Sequence, residues 1–490
     1  MPRPLREVCC PGRYKRDEYG NLSALLQGGC RFCVLKIREE RSDGLLARNR
    51  YDKKYLHVAL PAAMEGVFMI LLSNVDLILV GTLGTAAIAA VSIFTQPRMM
   101  ILTLARSLAA ALTLLAAECY GRGDHRKASS LLSRSLLVWG SVLVVVHILF
   151  YRHLEGILLW MGAEESYLPL ALSYARIVLP AVFLTSLAAV LQAVMLGFGE
   201  TGKVLSVNVQ GNVVNLAVSA LLIFGPGPFP AMGVRGAAIG TVAGTVWTMA
   251  VTLIFLWRER MFQGSGLSLR GYFREFLPVF GSVFSEQGFE RIGMVLYTRM
   301  AAELGTIPYA VHAICMNFCD FYYSFAGGLG KASMVLAGQS MGKRDSRRWE
   351  RYLRCGIRWG VIFSLGSFLL TFLFREEIFS LYSGDGGAME LGSVILIFVA
   401  AVSFPEAHAM IAAGVLRGSG KALQVAAYSF VSITLLRPLV TAFFLYVLEM
   451  GLVGAWLALA IDQSIRAACA HFLLRRLQKK ITLKGAWVAT

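Results

Sequence analysis

Two carboxylates, Glu65 and Asp76, stand inside an otherwise apolar stretch that runs LPAAMEGVFMILLSNVDLILVG. They are eleven residues apart, about three turns of a helix, so a helix would turn both to one side. An acid at membrane depth is costly unless it is paired, protonated or hydrated, and so reads first as functional. The chemistry open to it is to take up and release a proton or to hold a cation. Pro61, one turn before Glu65, withholds a backbone hydrogen bond and offers a point of bending. The plain alternative is a pair of salt bridges, which Arg98 and Arg106 in the next apolar stretch could supply.

Amides form the second pattern. Asn208, Asn212, Asn215 and Ser219 fall at i, i+4, i+7 and i+11, a single helical face. One such group inside a membrane usually ties helices together; four in register favour a hydrated cavity. Thr241 follows one turn after Gly236-Ala237-Ala238, a stretch that reads as close packing, and is grouped with the cavity residues. Further along, Glu286, Gln287, Glu290 and Arg291 interrupt another apolar run. Glu286 and Glu290 share a face and could pair with Arg291 or with another span. His312 reads as a core residue, near Asn317 and Asp320. Glu406 follows Pro405, which cannot donate a backbone hydrogen bond, a common setting for an ion-facing carboxylate. Asp462 and Arg466, at i and i+4, read as a structural ion pair.

These residues need elements that span a membrane. The 490-residue chain is 56% hydrophobic and 16% charged, with a mean hydropathy of +0.61, where a soluble chain carries about 25% charged residues. Apolar runs fall near 55–80, 86–116, 128–150, 168–196, 204–224, 234–257, 278–302, 308–338, 356–374, 391–415, 423–447 and 451–474. Each can cross about 30 Å of hydrocarbon as a helix. Their lengths and the lack of period-2 alternation favour helices over a barrel. The fold class is an all-α polytopic membrane protein with about twelve transmembrane helices.

The twelve spans are two sets of six. Leu83-Gly84-Thr85 returns as Leu304-Gly305-Thr306, a shift of 221 residues (304 − 83). The same shift takes Gly121 and Asp124 to Gly342 and Asp345, and Gly197 and Gly199 to Gly418 and Gly420. So many markers at one offset indicate a duplication. The net charge of +17 does not point to nucleic acid, because Lys and Arg gather in alternate loops: 122–127, 258–274, 343–348 and 475–480. By the positive-inside rule these loops and both termini are cytoplasmic, and the repeats are parallel. The expected organisation is a basic cytoplasmic arm at 1–54, six helices at 55–257, a cytoplasmic linker at 258–277, six helices at 278–475 and a tail at 476–490. The arm carries Cys9, Cys10, Cys30 and Cys33; the adjacent Cys9-Cys10 makes a poor second half for a zinc site, so a disordered, reduced arm is expected and no metal.

Together these motifs resemble the multidrug and toxic compound extrusion (MATE) transporters. The pattern Asp76-x-x-x-x-Gly81-x-x-Gly84, the loop GRGDHRKA, GFGETGK followed by Asn215 and GVRGAA, Glu286-Gln287 through Gly293, VHAI at 311–314, LRGSGK at 416–421 and Gly454-x-Trp456 carry the resemblance across about 45–475. It implies two six-helix lobes around a central cleft, alternating access, and efflux of small cationic or amphiphilic compounds driven by H⁺ or Na⁺. Asp76 matches the family's first-helix aspartate, Pro61 its bend and Asn215 its fifth-helix asparagine. Ser219 stands where many members have a second aspartate. Glu286 is similar in position to a seventh-helix glutamate, and Glu406 lies near a tenth-helix acid. With Glu65 these make the expected coupling set; Asn208, Asn212, Ser219, Thr241, Arg98 and Arg106 make the expected cleft. Arg98 and Arg106 depart from the family pattern and keep open an anionic lipid-linked or polar cargo. A membrane-embedded enzyme finds no paired metal motif and no Ser/His/Asp set. No cofactor beyond the coupling ion is expected, and the partners are a small-molecule substrate and the lipid bilayer. The expected form is a monomer in a bacterial-type inner membrane.

Overall fold

The computed structural model describes residues 31–484 apart from 162, 164, 226–229, 262–267 and 381–385. Cys9, Cys10 and Cys30, with most of the Pro-Gly loop before residue 230, lie outside the described residues. The chain divides into two compact units, Met1–Tyr51 and Asp52–Thr490, and the helix bundle belongs to the second. Residues 31–54, expected as part of a disordered arm, are helical. Their many Arg, Leu, Lys and Glu residues are good helix formers, which explains the departure.

Among the described residues, twelve long helical passages follow the twelve apolar runs. They are α1 (Arg31–Gly81), α2 (Thr85–Arg122), α3 (His125–Arg152), α4 (Leu168–Phe198), α5 (Thr201–Phe224) and α6 (Val234–Arg258) in the first half. The second half holds α7 (Leu269–Ala302), α8 (Thr306–Gly342), α9 (Ser346–Leu373), α10 (Gly386–Gly418), α11 (Ala422–Val447) and α12 (Gly451–Lys484). α11 is not regular: Phe430–Leu436 and Phe443–Val447 are wound as π-helix on either side of Arg437-Pro438. Short helices at Leu154–Trp160 and Arg375–Ser380 occupy equivalent places in the two halves. There are no strands among the described residues. Ten of the helices are apolar enough to cross a membrane by composition. The other two, α7 and α8, are the ones that carry Glu286, Glu290, Arg291 and Asp320. At 34 and 37 residues they are long enough to cross, so their polarity belongs to the inside of the bundle.

The markers of the duplication are helix ends. Gly84 and Gly305 precede α2 and α8 with φ of +99° and +101°, a conformation open to glycine and strained for other residues. Asp124 and Asp345 cap α3 and α9, each accepting from a backbone N–H at 2.9 Å. The chain can diverge along the helices while these chain reversals hold their spacing.

Within the lobes, α2 packs on α4 and α5 on α6, while α8 packs on α10 and α10 on α12. Between the lobes, α2 meets α8 and α7. At the end carrying the loops 122–127 and 343–348, Gly121 lies against the Gln339 carbonyl and Gly342 against the Glu118 carbonyl, each with no room for a Cβ. Since 342 − 121 and 339 − 118 are both 221, the duplication exchanges one contact for the other. That is the self-complementary form of a two-fold interface. α1 adds to the seam: Tyr55 donates to the Leu329 carbonyl at 3.0 Å and contacts Ser333 Oγ at 2.9 Å. Gly328 abuts the Ala63 backbone and Gly66 the Ser324 side chain. These inter-lobe contacts come from the half of the bundle nearer the basic loops. In the other half Ile292, Val295, Asn317 and Asp320 are exposed, so the cleft opens away from the basic end. Trp257, near the basic end of α6, and Trp160, toward the opposite end, are 76% and 84% exposed, marking the two rims of the bundle.

Gly121→Val and Gly342→Val are each expected to cost roughly 1–3 kcal/mol by overpacking, which lowers the melting temperature by a few degrees. Combined, they should cost less than the sum, because both disturb one crossing. Thermal unfolding of the two single variants and the double variant checks this.

Candidate functional site

Asp76, half-buried on α1, is held by a neutral partner. Asn215 on α5 donates its Nδ2 to Asp76 Oδ2 at 2.9 Å. Ser219, one turn on, donates to Asn215 Oδ1 at 3.1 Å. With its oxygen engaged by Ser219, the Asn215 amide presents its NH₂ to the carboxylate. α5 can turn this face to α1 because α6 backs it closely: Gly240 sits against Ser219 and the Asn215 carbonyl, and Gly244 against Gly211 and Asn215. A side chain at either glycine would push α5 out of register.

Glu65 has the same kind of partner. Asn208 Nδ2 donates to Glu65 Oε1 at 2.6 Å. Asn208 is fixed by a reciprocal amide pair with Gln192 on α4, at 2.9 and 3.3 Å, and Gln192 also donates to Thr252 Oγ1 at 3.2 Å. Asn212 turns back to the Asn208 carbonyl at 2.8 Å and reaches Met69 Sδ at 3.3 Å. Thus Asn208, Asn215 and Ser219 serve the acids of α1, and Asn212 does not. Thr241 donates to the Ala237 carbonyl of its own helix at 3.1 Å, so its hydroxyl is engaged within α6. Pro61 lies inside α1, which continues through it, next to the α1–α8 seam.

Neither arginine of α2 closes a salt bridge with the α1 acids among the described residues; the amides of α5 take that place. Arg98 is half-buried and within electrostatic reach of Asp76. Arg106, exposed to the cleft, has Arg98, Glu65 and Arg291 of α7 as its charged neighbours.

The second lobe handles its acids differently. Glu286, only 5% exposed, is gripped by Arg417 of α10, whose Nε donates to Oε2 at 3.0 Å while a second guanidinium nitrogen meets Oε1. Such a fork is among the stronger charged contacts. It also settles the partner of Glu286, which is another span and not Arg291. Glu290 accepts from Tyr323 Oη at 2.8 Å. Asp462 pairs with Arg437, not with Arg466 as its spacing had indicated: Arg437 Nε donates to Asp462 Oδ2 at 3.0 Å, and Ser432 also bonds the carboxylate. The reason is α11, whose π-wound stretches flank Arg437 where it meets α12. Arg466 Nε has no hydrogen-bond partner, and its charged neighbours include Glu290, Asp462 and the buried Glu406. His312 sits in an aromatic box of Tyr297, Tyr309 and Trp456, a core position. No group of three or more metal-ligating side chains occurs among the described residues.

The family model described as MatE matches the chain twice, over residues 61–221 and 282–443. The two matches begin 221 residues apart, the offset of the helix-end markers. The chain belongs to the MatE family. Among curated relatives, a probable multidrug resistance protein NorM of Thermotoga maritima is 26% identical, covering 88% of this chain and 94% of that one. The multidrug resistance protein NorM of Vibrio cholerae is 25% identical over 88% and 97%. A solved structure described as the outward-facing conformation of a multidrug resistance MATE family transporter shares the fold, with a TM-score of 0.82 at 20% identity over 89% and 97% of the two chains. MatE proteins are transporters, not enzymes, and this chain is an integral membrane protein of that kind.

Several members of these networks carry no pattern in the sequence. Gln192 is a lone amide in an apolar run and carries no pattern. Arg417 reads as a loop cation within LRGSGK, yet it reaches back to Glu286. Arg291 reads in the sequence only as a candidate partner of its neighbours.

Asp462 and Arg437 are 1% and 3% exposed as side chains, whereas Glu118 and Arg122 are 39% and 51% exposed. Asp462→Asn, which strands a buried guanidinium, is expected to cost about 3–5 kcal/mol. Glu118→Gln should cost less than ~1 kcal/mol. Melting temperatures of the two variants in one detergent give the comparison.

Proposed function

We propose that this chain is a secondary active exporter that moves small amphiphilic organic compounds outward in exchange for H⁺, by alternating access of the cleft, with Asp76 as the coupling acid. The observation that carries this reading is the Asp76–Asn215 bond. A carboxylate matched by an amide is not committed to its charge, whereas Glu286 is tied to its charge by the Arg417 fork. Of the membrane-depth acids, Asp76 is thus well placed to gain and lose a proton as the cleft changes sides. Asn215 offers it a donor and no lone pair, which fits H⁺ better than Na⁺. Glu65, bonded to Asn208, is a second acid of the same type.

Protonation would act on helix packing. Neutral Asp76 accepts a weaker bond from Asn215 than the carboxylate does, so α1 is freer to move against α5. α1 also carries Tyr55, Ala63 and Gly66 of the inter-lobe seam. A proton arriving from outside therefore biases the two-state equilibrium that opens the basic end, which is what exchange requires. The basic end faces the cytoplasm by the positive-inside rule, and the cleft then opens outward. The protein works as a monomer in a bacterial-type inner membrane, since one chain supplies both lobes. Its NorM relatives are named multidrug resistance proteins, and the cargo proposed here is likewise a small organic compound.

Inside-out vesicles with imposed pH or Na⁺ gradients test this. Uptake of a fluorescent amphiphile is expected to follow the pH gradient and to fall at least tenfold in Asp76→Asn, the change that about 1.4 kcal/mol of lost coupling produces. Asn215→Ala should shift the pH dependence of uptake, while Thr241→Ala leaves it unchanged. Undiminished uptake in Asp76→Asn overturns the assignment.

A further inference from the structure

The coupling acids leave three arginines unaccounted for. Arg98 and Arg106 are eight residues apart on α2, just over two turns, and so lie on one face. Arg291 comes from α7 in the other lobe. Arg106 has Arg291, Arg98 and Glu65 as charged neighbours, Arg98 also neighbours Asp76, and Arg291 neighbours Asp320 on α8. None of the three forms an ion pair among the described residues. The Nε of Arg98 is buried with no hydrogen-bond partner. The contrast lies within the same molecule: Arg417 and Arg437 each have a carboxylate in place.

Like charges gathered in a cleft of reduced dielectric repel, and a buried guanidinium nitrogen without an acceptor is costly. Both costs are relieved by one event, the arrival of an anion. Guanidinium groups are suited to it, because their planar forks match carboxylate, sulfonate and phosphate oxygens. An apolar side chain stands nearby: Met69, one turn after Glu65 on α1, is exposed and lies 3.3 Å from Asn212 Nδ2.

We infer that Arg98, Arg106 and Arg291 form an anion site between the lobes, and that the exported compound carries a carboxylate, sulfonate or phosphate on an apolar body. This rests on the export reading for the movement of the cargo, but not for its binding. Because the site takes residues from both lobes, it is complete only while α2 and α7 face each other across the cleft. A bound anion therefore bridges the lobes, and rearranging them alters its grip.

Two dyes with the same xanthene body, anionic fluorescein and a cationic rhodamine ester, separate charge from shape. Anisotropy titrations on the full chain in neutral detergent are expected to show fluorescein bound about tenfold or more tightly than the rhodamine ester. Arg106→Gln and Arg291→Gln should each weaken fluorescein about tenfold and leave the rhodamine ester unaffected or improved. Arg106→Lys, which keeps the charge, should recover part of the loss, and a melting curve for each variant shows that it is folded. Displacement of fluorescein by free naphthoate identifies a soluble organic anion as cargo; displacement by short-chain phosphatidylglycerol alone identifies a lipid headgroup. Tighter binding of the rhodamine ester, or fluorescein binding unchanged in both Gln variants, overturns the inference. Asp76-dependent uptake of the rhodamine ester without fluorescein binding would leave the exporter standing and remove the anion site. Fluorescein bound through the arginines but moved by neither gradient would do the reverse.

Discussion

The crossing of α2 and α8 at Gly121 and Gly342 is the constraint on which the rest of the molecule hangs. Two helices reach backbone contact there only because neither side chain extends beyond hydrogen, and the duplication makes the contact reciprocal. The crossing draws the lobes together at the basic end, and α1 reinforces it through Tyr55 and Ala63. A bundle pinned at one end and not at the other has a cleft by construction. Asp76, Arg98, Arg106, Arg291 and Asp320 are reachable for that reason, although they sit at the depth of a hydrocarbon core.

Two ways of keeping an acid inside a membrane coexist here. In the first lobe the acids of α1 face amides, which stabilise a carboxylate and tolerate the neutral acid. In the second lobe Glu286 and Asp462 face guanidinium groups, which demand the charge. The division follows the helices: α5 carries the Asn stripe, whereas Arg417 stands in the last turn of α10 and Arg437 within α11. One lobe thus holds its acids with neutral amides, and the other holds Glu286 and Asp462 with opposite charge.

Much of this was legible in the sequence, and the parts that were not have physical reasons. The twelve helices, the parallel duplication and the amide stripe all depend on periodicity within one element, and periodicity survives in a linear string. The helix-end markers held their offset because Gly84, Gly305, Asp124 and Asp345 answer to local backbone geometry. Partnerships between elements were harder. Asp462 lay four residues from Arg466, and the nearer cation lost to Arg437 because π turns in α11 shift the register of its side chains. Gln192 was invisible because its role exists only where α4 meets α5. Arg98 and Arg106 stood out as misplaced charges, but that they lacked partners could be read only from three dimensions.

The two rim tryptophans, Trp160 and Trp257, bear on the protein's fit to its surroundings. Indole rings settle at the headgroup layer, so a pair at opposite ends fixes how much hydrocarbon the bundle will tolerate between them. In the alternating access proposed above, a lobe that tilts would carry its ring along and thin or thicken the lipid beside it. Bilayer thickness would then enter the balance between the two proposed conformations as a mechanical load. The same chain would favour one orientation of its cleft in short-tailed lipid and the other in long-tailed lipid, with no change in any ligand.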